Sequence, residues 1–243
     1  MTMLKPTSKP LYQQVKQHLV HRVITGEWKP GHLLPSETKL AEEYGLSQGT
    51  VRKAIEEMAS EGLVSRQAGK GTFVTSHEGD YHPFRFHKFF SDDNQRIAKD
   101  EAVFISSRAA TAHDRVAKAL KLQPGSQGCE TIRLRNSNQR PVLIETIFLP
   151  ENICPDAKNL LQHDKPKSIY LFLERHYNLL ITRVVEQVRA RAATEQEAKL
   201  LFLNISEPVL EVERVAFSLG GEPIEWRTMV GPTDSIHYRN DLD

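Results

Sequence analysis

The stretch from Leu34 to Val74 reads LPSETKLAEEYGLSQGTVRKAIEEMASEGLVSRQAGKGTFV and predicts two short helices, a tight turn and a basic hairpin. Ser36 can cap the first helix, and Gly45 can adopt the left-handed conformation that ends it. Ser47 can cap the second helix. In both helices the apolar residues recur at helical spacing and are expected to face inward: Leu40, Ala41, Tyr44, Val51, Ala54, Ile55 and Met58. Together these features are typical of a winged helix-turn-helix.

A hairpin is predicted directly after the second helix. Gly62 can end that helix, and the two following strands can be joined through the tight turn from Gln67 to Gly71. Lys70 lies in this turn, which places a cation near the tip of the hairpin. The hairpin is therefore suited to lie against a phosphate backbone.

The outward face of the second helix predicts a DNA-binding surface. Small and polar residues in its first turn would let this end enter a major groove, where Thr50 and Arg52 could reach base edges. A solvated helix face is the alternative, but the caps, the turn and the hairpin all agree with DNA binding. The candidate DNA-binding residues are Ser36, Thr38, Ser47, Gln48, Gly49, Thr50, Arg52, Lys53, Arg66, Gly69 and Lys70.

Five short motifs follow one another through this stretch. They are Leu-Pro-Ser-Glu (34–37), Leu-Ala (40–41), Ser-x-x-Thr-Val-Arg (47–52), Glu-Gly-Leu (61–63) and Gly-x-Gly-Thr-Phe-Val (69–74). In this order they resemble the N-terminal domain of the GntR family of bacterial transcription regulators. Residues 11–33 fit that family's first helix and its exit, with a buried stripe of Leu11, Val15, Leu19 and Val23. The family often has arginine at the positions of Thr38 and Gln48, so phosphate contacts or the operator sequence are expected to differ.

Composition agrees with a soluble, cytoplasmic regulator. The 243 residues suffice for one or two domains. No apolar run approaches the roughly 20 residues of a membrane helix, and the first ten residues have no signal-peptide core. Residues 1–76 hold ten Lys and Arg against seven Glu, a balance of +3, and the whole chain carries +1, so the rest carries −2. A basic head on a slightly acidic body is what a phosphate-binding protein requires.

The predicted domain boundaries follow from a change of pattern after the hairpin. Residues 77–97 contain scattered histidines and aromatics without a helical or alternating period. We therefore expect a head over residues 1–76, a linker over 77–97 and a second domain over 98–243.

Histidines and cysteines suggest neither a metal site nor a cofactor. His77, His82 and His87 are five residues apart with no cysteine nearby, which favours solvated or stacking side chains over zinc ligands. Cys129 and Cys154 lack the spacing of a metal or redox motif and are expected to be free thiols. No cofactor is expected.

The second domain mixes strands and helices. Strands are predicted over 103–108, 128–136, 141–149, 181–192, 208–219 and 223–230, and helices over 113–122, 168–177 and 194–201. Polar turns at 137–140 and at Gly220-Gly221 are hairpin signals. Thr194 with Glu197 three residues later forms a capping-box pattern. These patterns predict an α+β domain built on a largely antiparallel sheet.

Short motifs also occur in order through the second domain. They are Leu120-x-Leu122-x-Pro124-Gly125, Arg133-Leu134-Arg135, Pro141-Val142-x-Ile144-Glu145, Leu149-Pro150, Ser168-Ile169-Tyr170 and Gly221-Glu222-Pro223-Ile224-Glu225. They resemble the UTRA domain, the effector-binding domain of the HutC subfamily of GntR regulators, whose fold is like that of chorismate lyase. The resemblance implies a small-molecule effector and a homodimer.

Two arginines on one predicted strand suggest the chemistry of the effector. Arg133 and Arg135 are two residues apart, so both guanidinium groups project from one face and can grip a carboxylate or phosphate. A solvent-facing strand edge with ion pairs is the alternative. The effector would be anionic, either a phosphosugar or a small organic acid.

The resemblance also implies further effector-binding residues. It carries over Arg133, Arg135, Ser168 and Tyr170 as anion-binding residues, Glu145 and Glu225 as acceptors of ligand hydroxyl or amino groups, and Ser91 as a contact near the linker. Arg227, two residues from Glu225, could add a third cation. The family often has two aromatics and Arg-Gly-Asp where this chain reads Val230-Gly231-Pro232-Thr233-Asp234, so the floor of the pocket is expected to differ.

Other classes of protein fit the sequence less well. The run from Gly69 to Thr72 lacks the Gly-Lys-Ser/Thr order of a phosphate loop, and neither a nucleophile elbow nor His-Glu-x-x-His is present. A lyase activity in the second domain is suggested only by fold resemblance. A nucleic-acid-packaging protein would have a larger basic excess. We therefore expect a ligand-responsive regulator, in this family most often a repressor, that binds an inverted-repeat operator as a homodimer and has no enzymatic activity.

Overall fold

A helical head is followed by a sheet-rich domain. The computed structural model describes residues 9–77, 86–97, 102–137 and 140–240. The head consists of α1 (Leu11–Ile24), α2 (Glu37–Tyr44), α3 (Gln48–Ser60) and the antiparallel hairpin of β1 (Val64–Gln67) and β2 (Gly71–Val74). The predicted winged helix-turn-helix is confirmed.

Local capping explains why the head folds where the sequence predicts. The Ser36 hydroxyl accepts the Lys39 backbone N–H at 3.2 Å, and the Ser47 hydroxyl accepts that of Thr50 at 3.2 Å. Each cap satisfies an N–H group that has no partner within its own helix. Gly45 ends α2 with a φ of 65°, a conformation that glycine adopts without steric cost.

The head has its own hydrophobic core. The inward positions of α2 and α3 are buried as predicted, as are Val15, Leu19 and Val23 of α1. Leu11 was expected in the same stripe, but half of its surface is exposed. It borders an open depression that is also lined by Ser47 and Gly49.

The second domain is built on one six-stranded antiparallel sheet. Its strand order is β4-β5-β6-β9-β8-β7. The strands are β4 (Ala102–Thr111), β5 (Gln127–Ser137), β6 (Arg140–Pro150), β7 (Ile181–Ala192), β8 (Pro208–Ser218) and β9 (Pro223–Pro232). The predicted α+β class with an antiparallel sheet is confirmed, although two residues of the predicted turn between β5 and β6 lie outside the described residues.

Helices cover both faces of the sheet. The helices in the described part of this domain are α4 (Asp114–Leu120), α5 (Ala157–Asp164), α6 (Ile169–Tyr177) and α7 (Glu195–Leu201). Helices α5 and α6 share a hydrophobic cluster with Ile147 of β6, whereas α4 packs with Phe148, the next residue, on the opposite face. The predicted capping box is present at the start of α7, where Thr194 and Glu197 bond each other's backbone N–H groups.

Three elements were not predicted. Helix α5 has no capping bond from the side chain of Asp156, and β3 (Phe89–Ser91) and β10 (Ile236–Tyr238) are too short to show a period. The two short strands pair with each other, so the residues around Phe89 are held against the end of the chain. None of the described helices is long and apolar enough to cross a membrane.

Candidate functional site

The candidate DNA-binding residues lie together on one exposed side of the head. In the first turn of α3, Ser47 and Thr50 bond each other's hydroxyl groups at 2.9 Å. Gln48 and Gly49 are exposed beside them, and Thr38 is exposed on α2. This end of α3 is therefore narrow and polar, as insertion into a major groove requires.

Glu37 connects α3, the candidate recognition helix, to the hairpin. Its carboxylate accepts from Arg52 of α3 at 2.9 Å and from Arg66 of β1 at 3.1 Å. The Arg52 side chain is about half exposed (53%), so this ion pair is open to competition from a DNA base or phosphate. Glu37 thus holds the two arginines side by side on this surface.

The remaining candidates lie at the two margins of this surface. The Lys53 ammonium lies 4.1 Å from the centre of the Tyr12 ring, an orientation that cation–π attraction favours. At the hairpin tip, Gly69 has a φ of 71° and Lys70 is exposed. The tip therefore presents its charge away from the head.

Arg133 and Arg135 lie on the covered face of the sheet, not at a solvent-facing edge. Their exposed fractions are 0% and 3%. Both donate to the Glu145 carboxylate from Nε, at 2.9 and 3.1 Å, and Arg227 donates to it from Nη1 at 3.1 Å. Glu145 is directly opposite Arg133 in the pairing of β5 with β6, which explains why the two meet. Burial without these partners would be costly for each charge.

A second pair of arginines lies beside the first. Arg214 of β8 is directly opposite Arg227 of β9, and like charges in that position repel. Arg227 donates to Glu225 from Nε and, at 2.8 Å, from Nη2, and Arg214 donates to Glu186 at 2.8 Å. Tyr170 lies above both, with its hydroxyl 3.4 Å from Arg214 Nη1 and its ring centre 5.1 Å from the Arg227 guanidinium carbon.

We define the arginine cluster as these four arginines with their carboxylates: Arg133, Arg135, Arg214 and Arg227 with Glu145, Glu186 and Glu225. Among the described residues, four positive charges therefore face three negative ones. Several guanidinium groups gathered at a buried site are suited to bind an anion.

The electrostatics of the cluster follow from burial and proximity. Burial alone would raise the pKa of Glu145, but the three arginines around it hold that pKa well below its usual range. Burial and the neighbouring Arg135 and Arg227 lower the pKa of Arg133 to about 9. At neutral pH the carboxylate and the guanidinium are both charged.

The sequence did not predict that Arg214 and His87 lie at the arginine cluster. Arg214 carries no local motif, and only the register of β8 against β9 brings it to the cluster. Burial, followed by the charges of Arg135 and Arg214, lowers the pKa of His87 well below its usual range. His87 is therefore a half-buried, neutral imidazole beside the cluster.

The guanidinium groups of Arg133 and Arg135 also donate to backbone carbonyls of the segment before α6. Arg133 Nη1 donates to the Pro166 carbonyl at 3.1 Å, and Arg135 Nη2 donates to the Lys167 carbonyl at 3.2 Å. The next residue, Ser168, caps α6 by accepting the Leu171 backbone N–H at 3.2 Å. A ligand anion would therefore have to take the place of these carbonyls or share the forks with them.

Ser91 lies apart from these contacts. It is on β3, and its hydroxyl donates to the Gln95 carbonyl at 3.1 Å and to Asp93. It borders a surface cavity of about 800 Å³ together with Arg140 and Asp234. The structure thus brings six of the eight candidate effector residues into one connected set of contacts, places Ser168 next to Lys167 at the start of α6, and leaves Ser91 at a surface cavity apart from them.

No metal site is formed by the histidines or cysteines that the structure describes. His77 contacts Glu174, and His82 lies outside the described residues. Cys129 and Cys154 are buried free thiols, as expected, and burial raises the pKa of Cys154 to about 12.

Two family models match the chain. The model of the bacterial regulatory proteins of the gntR family matches residues 11–74, and the UTRA domain model matches residues 101–237. The HTH-type transcriptional repressor NagR of Bacillus subtilis is 29% identical over the full length of both chains. The histidine utilization repressor of Pseudomonas aeruginosa is 31% identical over 86% of this chain and 82% of its own length.

Solved structures agree with these matches. The ligand-binding domain of a GntR-family regulator from Bordetella bronchiseptica has a TM-score of 0.60 and 28% identity over 65% of this chain and 98% of its own. The transcriptional regulator YydK of Bacillus subtilis has the same fold along almost the whole chain, with a TM-score of 0.56 at 17% identity over 97% of this chain and 100% of its own. Both of these curated proteins are named transcriptional repressors. With a helix-turn-helix head, a UTRA domain and these relatives, the chain belongs to the HutC subfamily of the GntR family and is a ligand-responsive transcription regulator.

Proposed function

We propose that this regulator is a repressor that binds an inverted-repeat operator as a homodimer and leaves it when a small anionic metabolite binds. The arginine cluster is the observation that supports the anionic effector most directly. The proposed units are a head over residues 1–76, a linker over 77–97 and an effector domain over 98–243. The hydrophobic core of the head, which residues 15–74 form together with Leu180, supports the first of these boundaries.

DNA binding is proposed to use the surface formed by α3 and the hairpin. The first turn of α3 would enter the major groove, with Arg52 released from Glu37 to contact a base. Lys70 at the hairpin tip would contact phosphates. Each chain has one such head, so an inverted repeat requires two chains, with half-sites about one helical turn (~34 Å) or a multiple of it apart.

The effector is proposed to be a phosphosugar or a small organic acid. The guanidinium groups of the arginine cluster suit either, and Glu225 and Tyr170 provide groups for hydroxyl or amino substituents. Similar proteins include the repressor of a mannosyl-D-glycerate transport and metabolism system of Escherichia coli and histidine utilization repressors of Pseudomonas. Their names support a small metabolite as the effector class, and its identity has to be measured.

The test has two stages. Genomic fragments retained by the purified protein are sequenced to find the operator, and phosphosugars and organic acids are then screened for a concentration-dependent rise in melting temperature and for release of the operator. We expect one palindromic site and at least one releasing anion, recovered chemically unchanged. Turnover of the compound would instead support the lyase alternative.

Arg135→Ala tests the site itself. Loss of a charge-assisted bond of about 1.5 to 3 kcal/mol should weaken the effector roughly tenfold or more, because the fork no longer holds the anion. Operator affinity without effector should stay near that of the wild type, because Arg133 still bonds the Pro166 carbonyl before α6. Arg108→Ala removes an exposed arginine from the neighbouring strand and serves as the control. Release of DNA by the Arg135 variant at the wild-type effector concentration would place the effector elsewhere.

A further inference from the structure

The end of the head is bonded to helix α6 through Glu174. This carboxylate accepts the His77 backbone N–H at 2.8 Å and the Ser76 hydroxyl, and it lies 3.1 Å from His77 Nδ1. His77 and Glu174 are 6% and 9% exposed. A buried carboxylate with these donors is firmly held, because their loss would leave its charge uncompensated.

An apolar contact accompanies this polar one. Leu180 and Leu219 of the effector domain belong to the hydrophobic cluster of the head, together with Val23 of α1. The two leucines are joined by a backbone bond of 2.9 Å from Leu219 to Leu180. Among the described residues, the head therefore meets the effector domain through these apolar side chains and through the directional bonds of Glu174.

The same helix meets the arginine cluster at its other end. The carbonyls of Pro166 and Lys167, just before α6, accept bonds from Arg133 and Arg135. Tyr170 in the first turn contacts Arg214 and Arg227. Movement of an arginine fork toward a ligand would therefore act on the start of α6.

Tyr170 and Glu174 connect the two ends. They are four residues apart in one helix and so lie on the same face. The Tyr170 ring also packs edge-on against His77, with ring centres 5.6 Å apart. Helix α6, which is nine residues long, thus contacts the arginine cluster through Tyr170 and the end of the head through both Tyr170 and Glu174.

We propose that Glu174 is a positioning residue through which helix α6 fixes the orientation of the DNA-binding head. This inference rests on the proposed function, in which the head binds an operator and the arginine cluster binds the effector. Without effector, the Glu174 bonds hold the two heads of a dimer at the spacing of the half-sites. A shift of α6 loosens them and lets the heads depart from that spacing.

Hydrogen exchange on the full-length protein measures the contact directly. The His77 amide reports on its bond to Glu174, and Glu174→Gln keeps the shape of the side chain but removes its charge. We expect exchange at His77 to become about tenfold faster, since a bond to a charged acceptor is replaced by a neutral one. Glu130→Gln is the matched control, because its carboxylate pairs with Arg108 far from the head in sequence; it should exchange like the wild type.

Operator binding decides whether the contact positions the head. Glu174→Gln should weaken ligand-free operator affinity by up to about tenfold, because only part of the population has the heads in place. Ser76→Ala removes one donor without altering the effector domain and should change both measurements in the same direction. If faster exchange throughout α6 shows that Glu174→Gln disturbs folding, the two measurements on Ser76→Ala alone decide whether the inference holds.

Two results would overturn the inference. One is wild-type exchange at His77 in both variants, and the other is faster exchange with unchanged operator affinity, which would make the contact structural only. Failure to find any operator for the wild type would instead count against the proposed function, while the exchange data would still decide whether Glu174 holds the head.

Discussion

A single buried carboxylate organises the proposed effector site. Glu145 accepts bonds from Arg133, Arg135 and Arg227, so three guanidinium groups converge on two oxygens. The arrangement is stable only because every charge has a partner, and a ligand anion would enter as one more acceptor. The selectivity for effectors should therefore depend on how well an anion accepts bonds from guanidinium groups that already donate to Glu145 and to backbone carbonyls.

His87 makes stability dependent on pH. Its pKa is lowered by burial and by Arg135 and Arg214, so the folded state keeps the imidazole neutral. Above about pH 6.5 it is neutral in both states and has no effect. As pH falls through that value the unfolded chain gains a proton that the folded chain does not, and the free energy of unfolding falls by up to about 1.4 kcal/mol per pH unit.

Urea unfolding at pH 7.5 and 5.5 checks this expectation. His87→Asn should reduce the loss of stability between the two pH values, whereas His163→Asn, at an exposed histidine, should leave the loss in place. Equal acid sensitivity of wild type and His87→Asn would show that other groups dominate. Glu174 has a lowered pKa because bonds from His77 and Ser76 outweigh its burial, and its contribution is lost only at lower pH, as the carboxylate protonates.

At the scale of secondary-structure elements, the sequence predicted those helices and strands whose positions are determined by local contacts. The caps Ser36 and Ser47 and the turn residue Gly45 act within a few residues, so the head was predicted almost element by element. Helix α5 was missed because it begins after Asp156 in a left-handed conformation and lacks a side-chain cap. Strands β3 and β10 stabilise each other across the whole second domain, which no local pattern records.

The candidate site divides in the same way. The shared face of Arg133 and Arg135 follows from their spacing on one strand. The approach of Arg214 depends on the pairing of β8 with β9, and that of Glu174 to His77 on the packing of the head against α6. Both contacts depend on tertiary packing, so no short sequence motif predicts them.

The recognition helix and the hairpin should affect DNA binding differently. Arg52→Ala removes a side chain placed to reach a base edge and should weaken operator binding roughly tenfold or more while relaxing preference at one base pair. Lys70→Ala should weaken all sequences alike and reduce the salt slope by about one. Competition binding across a salt series distinguishes the two.

The ion pair of Arg52 with Glu37 gives this prediction its control. Glu37→Gln releases Arg52 and Arg66 without removing either cation, so DNA binding should persist. If neither the Arg52 nor the Lys70 variant alters operator affinity, the assigned DNA-binding surface is wrong.

At the scale of the molecule, the sheet has a long outer strand with exposed apolar side chains. Strand β7 spans 12 residues and pairs only with β8 among the described strands. Val185 and Val188 on it are 45% and 46% exposed. A long edge strand invites pairing with another chain, and a second copy would cover it in the proposed homodimer.

Sedimentation at micromolar concentration tests this arrangement. We expect the wild type to be a dimer and the double variant Val185→Lys, Val188→Lys to dissociate, because charges on an edge strand oppose pairing. Val103→Lys changes an equally exposed valine on β4, at the opposite edge of the sheet, and should remain a dimer. Since one chain carries one head, the dissociated variant should also lose most of its operator affinity while keeping its effector-dependent rise in melting temperature. A monomeric wild type would contradict the homodimer, whereas a dimer that survives the β7 substitutions would place the interface on another surface.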